Sequence, residues 1–393
     1  MHVHTLKWTL KVLTFCGYFR PVSWTSPRRK FLYNVYTIFV VIILIISIIS
    51  QLLDIVLNVE TQEELSDNFC ITFCTLNSLG KLSSLLLGRK MILNLIDMLQ
   101  SDPLRPLNKE EMEIRSRHDR IIEKLSIAYT IPIELSAVFI WIASIFTSFK
   151  INKLPLRVWL PFDYKSTLFV FVLTYVYQFL STVFITIVIV GSDNLFNGLL
   201  IHVYCQFEIL QHRLSNIKTD QEYTVKQCAY HHNRIYKFAE VVNKKFSIMT
   251  SMQFLVSTMT ICFSLYRLTQ ITLYSQILSV ILFMFAAFIQ IFYFCWHGNE
   301  TKLKSLEISN TIFASNWMSL NESSKKILLT IMLRSMKPID LSSAIIFPIN
   351  LESFKSVCIK QYDFLSMHTL CTKHQIIIQL EFIPNCNTLA IHF

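Results

Sequence analysis

The chain is built from long apolar runs separated by polar, basic stretches. A helix needs about 20 mostly apolar residues to cross a bilayer, because backbone groups cannot be left unpaired in hydrocarbon. Four windows reach that length without a charged residue: 31–53, 166–192, 246–266 and 268–299. Two more hold one charge each, Lys81 in 68–88 and Glu134 in 125–149. A seventh, at 338–358, carries Asp340, Glu352 and Lys355, so it needs shielding by other helices or a place beside water. The pattern predicts an all-α fold with seven transmembrane helices at about 31–53, 68–88, 125–149, 166–192, 246–266, 270–296 and 338–358. These form one domain over residues 1–357, followed by a tail at 358–393.

No proline occurs between Pro161 and Pro338, so helices there can run unbroken out of the membrane. Beyond the fourth window, Phe196, Leu199, Leu200, Val203, Phe207, Leu210, Leu214 and Ile217 recur at three- and four-residue spacing and make one apolar stripe. Such a stripe outside lipid packs either on this chain's own helices or on another subunit.

Composition agrees with the pattern: 53% of residues are hydrophobic and only 16% charged, against about 25% charged in soluble domains. The formal charge of +10 is scattered between apolar runs, which fits membrane orientation and gives no nucleic-acid surface. Twenty-seven of the 36 Lys and Arg fall before 31 and in 89–124, 193–245 and 300–337, whereas the alternate connections and the tail hold eight. The positive-inside rule thus places the N-terminus in the cytosol and, with seven spans, the C-terminus outside. Residues 1–30 lack a cleavable signal, so the first span reads as a retained anchor. Sequons at Asn299 and Asn321 then lie on the cytosolic side and escape glycosylation.

Candidate chemistry is sparse. There is no H-E-x-x-H, G-x-S-x-G or glycine-rich phosphate loop, and no C-x-x-C among the ten cysteines, so neither catalytic residues, a metal nor a cofactor is expected. His231 and His232 read as part of a solvated helix face. Lys81 and Glu134 lie at similar depth, as an ion pair between the second and third spans or as one snorkelling and one crevice-facing charge. Phe73, Trp141, Phe169, Tyr175 and Tyr274 are candidates to line a small-ligand pocket; core packing or an interfacial belt is the alternative for each.

The segment from Cys295 reads Cys295-Trp296-His297-Gly298-Asn299-Glu300, then Trp317, Lys325-Lys326-Ile327-Leu328-Leu329, Arg334-Ser335, Lys337-Pro338 and Phe347-Pro348-Ile349-Asn350-Leu351-Glu352-Ser353-Phe354. This order resembles the C-terminal signature of insect odorant receptors. The resemblance implies an odorant-binding subunit that joins a co-receptor in a heterotetrameric, non-selective cation channel of the plasma membrane, in olfactory neuron dendrites. It assigns Trp317 to the assembly region and Phe347, Asn350 and Phe354 to the approach to the pore. Gustatory receptors share the layout, and the match around Trp317 favours the odorant branch. A secondary transporter is the alternative from another class. After Val357 the chain departs from the family pattern, and the tail reads as divergent or wrongly joined, leaving the seventh span in question.

Overall fold

The computed structural model describes residues 6–366 apart from 21–23, 25, 147–148, 150–151, 218–221, 272–273, 344–346 and 364–365. The elements are α1 (Lys7–Phe15), α2 (Pro27–Leu57), α3 (Gln62–Leu87), α4 (Arg89–Met98), α5 (Lys109–Phe146), α6 (Leu168–Ser215), α7 (Glu222–Leu268), α8 (Tyr274–Ala314), α9 (Glu322–Ser335) and α10 (351–363). Among the described residues the only bridge of β type joins Ser342 and Pro348.

Local sequence sets the helix starts. Pro27 occupies the first turn of α2, where its missing N–H is no loss. Thr61, Thr167 and Asn321 cap α3, α6 and α9 by accepting the N–H of Glu64, Val170 and Ser324. With no proline inside, α6, α7 and α8 run for 48, 47 and 41 residues, and α6 alone is about 72 Å long at 1.5 Å per residue.

Six of these helices, α2, α3 and α5–α8, are long and apolar enough to cross a membrane. Their outward faces are apolar too; Ile38, Ile42, Ile45 and Ile49 of α2 are all exposed. Facing water, such a surface would be an aggregation hazard, and facing acyl chains it is matched. The chain is a multi-pass membrane protein.

Helix α6 is the axis of the bundle. It packs against α1, α2, α3, α5, α7 and α8, and every residue from 188 to 203 is buried. The apolar stripe from Phe196 to Leu214 is therefore covered by the chain's own helices, with Phe196 against Phe246 and Phe294. One end, here termed the mouth, carries the short connections α2 to α3 and α7 to α8 and the longer one from α5 to α6. At the other, the extensions of α5–α8 join α9 in a polar-surfaced stem. The basic N-terminal stretch includes α1, which the apolar pattern did not predict. Leu6 and Leu13 bury it in the core, and Tyr33, Tyr36 and Thr37 of α2 donate to the carbonyls of Thr14, Phe15 and Gly17.

Two expectations need correction. The predicted span 338–358 is not one helix: residues 338–343 and 347–350 are non-helical and α10 begins only at 351. Proline at 348 and the polar Asp340, Ser342, Ser343 and Asn350 favour extended backbone there. The tail beyond 366, with Cys371 and Cys386, lies outside the described residues. His231 and His232 are not solvated but buried in the stem. Arg213 donates to His231 Nδ1 at 3.1 Å, while His231 Nε2 pairs with Gln206 at 2.9 Å. The same guanidinium makes two bonds to the buried Glu111, at 2.7 and 2.9 Å.

These stem groups give a pH dependence. Burial, then Arg213, holds His231 far below its usual value, and burial, then Arg334, lowers His232 to about 4. A base held neutral in the fold but free to protonate when unfolded contributes fully above about pH 6.5, and the contribution declines as pH falls below that. Burial pushes Glu111 up, but the Arg213 bonds outweigh it and hold the carboxyl below its usual value. Its contribution persists above about pH 4.3 and fades only on further acidification. Melting temperature in detergent should thus fall between pH 7.5 and 5.5, as the unfolding free energy drops by up to about 1.4 kcal/mol per pH unit per histidine. His231→Gln should reduce that slope; an unchanged slope would rule out His231 as a source of it.

A close approach fixes the α8–α10 region. A Cβ on Gly298 would lie 2.2 Å from the carbonyl oxygen of Ile349, a backbone atom that cannot turn aside. Gly298→Ala should therefore displace the segment leading into α10 and destabilise the fold by about 1–3 kcal/mol. A melting temperature equal to that of the unsubstituted chain would refute this.

Candidate functional site: an apolar cavity on a charged floor

Between α3, α5, α6, α7 and α8, towards the mouth, lies a cavity of about 130 Å³. Its walls are mostly apolar or small: Trp141, Ala137 and Ile133 from α5, Thr182 and Thr186 from α6, Ala286 from α8. An apolar cavity of roughly 150 Å³ holds a benzene molecule, which sets the scale of a ligand here. Leu156 roofs it. Gln178 of α6 fixes that roof, accepting from the Leu156 N–H at 3.2 Å and donating to its carbonyl at 3.0 Å. Nearby, Arg157 pairs with Glu64 at 2.6 Å and the backbone N–H of Trp159 donates to the Ser50 carbonyl at 3.0 Å, tying the α5–α6 connection to α3 and α2.

The inner end of the cavity is polar. Asn77, Ser257 and Gln290 lie in its wall and join a buried network. Gln253 donates to Ser257 at 2.7 Å and Gln290 at 2.6 Å, and accepts from Asn77 at 2.8 Å. It also accepts from Lys81 at 2.5 Å, and Lys81 pairs with Asp193 at the same distance. The Tyr129 hydroxyl closes the site on Asp193 at 2.7 Å, its ring stacked on Tyr293 at 4.3 Å. Five helices thus converge on one ion pair, each partner at most 1% exposed.

Lys81 therefore neither pairs with Glu134 nor snorkels to the membrane surface. Lys81 is bound to Asp193, and Glu134 accepts from Thr186 at 3.1 Å. Depth alone suggested the pair, but helix rotation turns Lys81 towards α6 and α7. Asp193 sits one residue beyond the predicted fourth span.

The five aromatic candidates scatter. Trp141 lines the cavity, and its buried indole N–H has no partner among the described residues. Tyr175 packs edge-on behind that ring at 5.1 Å. Phe73 stacks with Phe69 and Phe263, apart from the cavity wall. Phe169 and Tyr274 are 76% and 90% exposed and point away from the core. The missed signal is small residues: Ser136, Ala137, Thr182, Thr186, Ala286 and Ala287 face one another and leave the space. Of the four remaining candidates, Trp317 packs partly buried beside the stem core and Phe347 is exposed. Asn350 caps α10 by accepting the Ser353 N–H at 2.9 Å, and Phe354 meets Phe292 of α8 at 5.4 Å.

Lipid-matched helices around a largely apolar internal chamber define a multi-pass membrane protein with a buried cavity. The sequence comparisons narrow this class: the family model described as "7tm Odorant receptor" matches residues 61–359, and the chain belongs to that family. Odorant sensing is its role, as a receptor and not an enzyme. Odorant receptor 67c of Drosophila melanogaster is 21% identical over 87% of this chain and 89% of the relative. Odorant receptor 10 of Aedes albopictus is 30% identical, but that match spans only about a third of either protein, 35% and 36%. In three dimensions, the insect olfactory receptor OR5 of Machilis hrabei in complex with eugenol superposes with a TM-score of 0.81. It covers 93% of this chain and 98% of that one at 16% identity.

Proposed function

We propose that the chain is the ligand-sensing subunit of an odorant-gated, non-selective cation channel, binding a small volatile molecule in the Trp141 cavity and assembling with a co-receptor. The cavity carries this reading: it is ligand-sized and apolar, and its floor is wired to five helices, so an occupant can bias their arrangement. The OR5 structure was determined in complex with eugenol, a small molecule built on one benzene ring. Phe354 on Phe292, and Gly298 against Ile349, couple α8 to the segment assigned to the pore. Trp317 and the stem would supply the shared anchor, and Phe347 and Asn350 would stand near the ion path. The basic stem faces the cytosol in this reading, in the plasma membrane of an olfactory neuron dendrite.

Co-expression with the co-receptor in a heterologous cell, under a panel of volatile ligands, should give a dose-dependent cation current absent from either chain alone. Uptake of a solute by this chain without the co-receptor would instead support a transporter. An N-terminal epitope should be reached by antibody only after permeabilisation, and Asn299 and Asn321 should carry no glycan.

A further inference from the structure

A second chamber, of about 190 Å³, sits on the mouth side of the ligand cavity. Four residues belong to the walls of both: Ile71 of α3, Ile140 of α5, Leu156 of the roof and Phe283 of α8. Away from this shared ring the outer space is the more polar of the two. The outer one is lined by Asp67 and Arg267, paired at 2.7 Å between α3 and α7, and by Gln276, Ser279 and Ser144. The ring itself is apolar, and its Leu156 is held in place by the two Gln178 bonds.

We propose that the outer chamber is the access vestibule of the odorant cavity, admitting small uncharged molecules from water through the ring of Ile71, Ile140, Leu156 and Phe283. The proposal rests on the reading of the inner cavity as the odorant site. The polar part of its wall, with the neutralised Asp67–Arg267 pair, holds water, so a dissolved molecule reaches the ring without first entering lipid. At the ring it must shed that water. An uncharged molecule does so readily, whereas an ion loses far more solvation than four hydrocarbon side chains return. Such a constriction is a barrier common to association and release, so obstructing it slows both and leaves the equilibrium in place.

The test puts a thiol in the vestibule with Ser279→Cys, and a control thiol outside both chambers with Tyr274→Cys, on the exposed first turn of α8. The full chain in lipid nanodiscs is treated with the charged reagent trimethylammonium-ethyl methanethiosulfonate. It is then exposed to neutral methyl methanethiosulfonate, and labelling of Cys74 in the inner cavity is followed by peptide mass spectrometry. The unsubstituted chain, treated identically, corrects for Cys70 in the vestibule wall. Blocking at Ser279→Cys should slow Cys74 labelling at least about fivefold, and blocking at Tyr274→Cys should leave it unchanged. Unaltered Cys74 labelling after complete modification of Ser279→Cys would overturn the proposal in favour of a route between helices from lipid. In cells with the co-receptor, the same block should slow onset and washout of odorant current by similar factors, the half-maximal concentration moving less than about twofold. A changed half-maximal concentration with unchanged rates would count against the vestibule. Absence of odorant current from the untreated receptor would defeat the functional reading alone, since the labelling result still decides the route.

Discussion

Replacing Lys81 by Met, or Asp193 by Leu, should nearly abolish folded receptor at the cell surface, whereas the two substitutions together should restore most of it. Each single change leaves a charge in the bundle with no counter-ion, and breaking a buried pair in this way costs about 3–5 kcal/mol. That is a large part of the roughly 5–15 kcal/mol by which a domain is stable. The double variant removes both charges and leaves apolar side chains among α3, α5, α6 and α7. Recovery should be incomplete, because the Tyr129 hydroxyl loses its acceptor and Gln253 one of its donors. Surface biotinylation and melting in detergent measure the effect. A double variant no better than either single would show that the pair is not the source of the loss.

Filling the chamber should abolish sensing without harming the fold. Ala137→Phe places a ring in a space of about 130 Å³, about what one aromatic ligand needs. The concentration for half-maximal response should rise at least tenfold for every agonist, a loss of about 1.4 kcal/mol or more. Surface abundance should stay near that of the unsubstituted chain, since the substitution enters existing space. Trp141→Phe should separate ligands by chemistry. It keeps an aromatic wall and removes the unpartnered indole N–H, so agonists with a hydrogen-bond acceptor should weaken by about 1 kcal/mol and pure hydrocarbons should not. Full responses from Ala137→Phe would move the odorant site elsewhere.

The six crossing helices could be read from composition window by window, and so could the unbroken run of α6, α7 and α8 from the missing prolines. The site was less legible. Searching for aromatic rings found Trp141 and Tyr175 near the chamber but also Phe169 and Tyr274, whose rings point outward. An aromatic residue in a membrane helix is equally at home in a core, at an interface or against lipid, so its identity does not say which way it faces. A cavity is made by the atoms that are missing, and Ala137 or Thr186 looks unremarkable in a sequence until its neighbours are known. The start of the seventh span was misplaced for another reason: its polar residues and Pro348 form an extended segment before α10, held by contacts with α8, which no local window registers.

The sequence by itself determined where the chain meets lipid and how long its helices run, because a bilayer tests each stretch of about 20 residues separately. Which helix faces which was left to the tertiary structure. Lys81 and Asp193 are 112 residues apart, and Leu156 meets the cavity only because Gln178 holds it there. Ion pairs and cavities depend on helix rotation and on contacts between distant segments, and those are set when the whole bundle closes around α6.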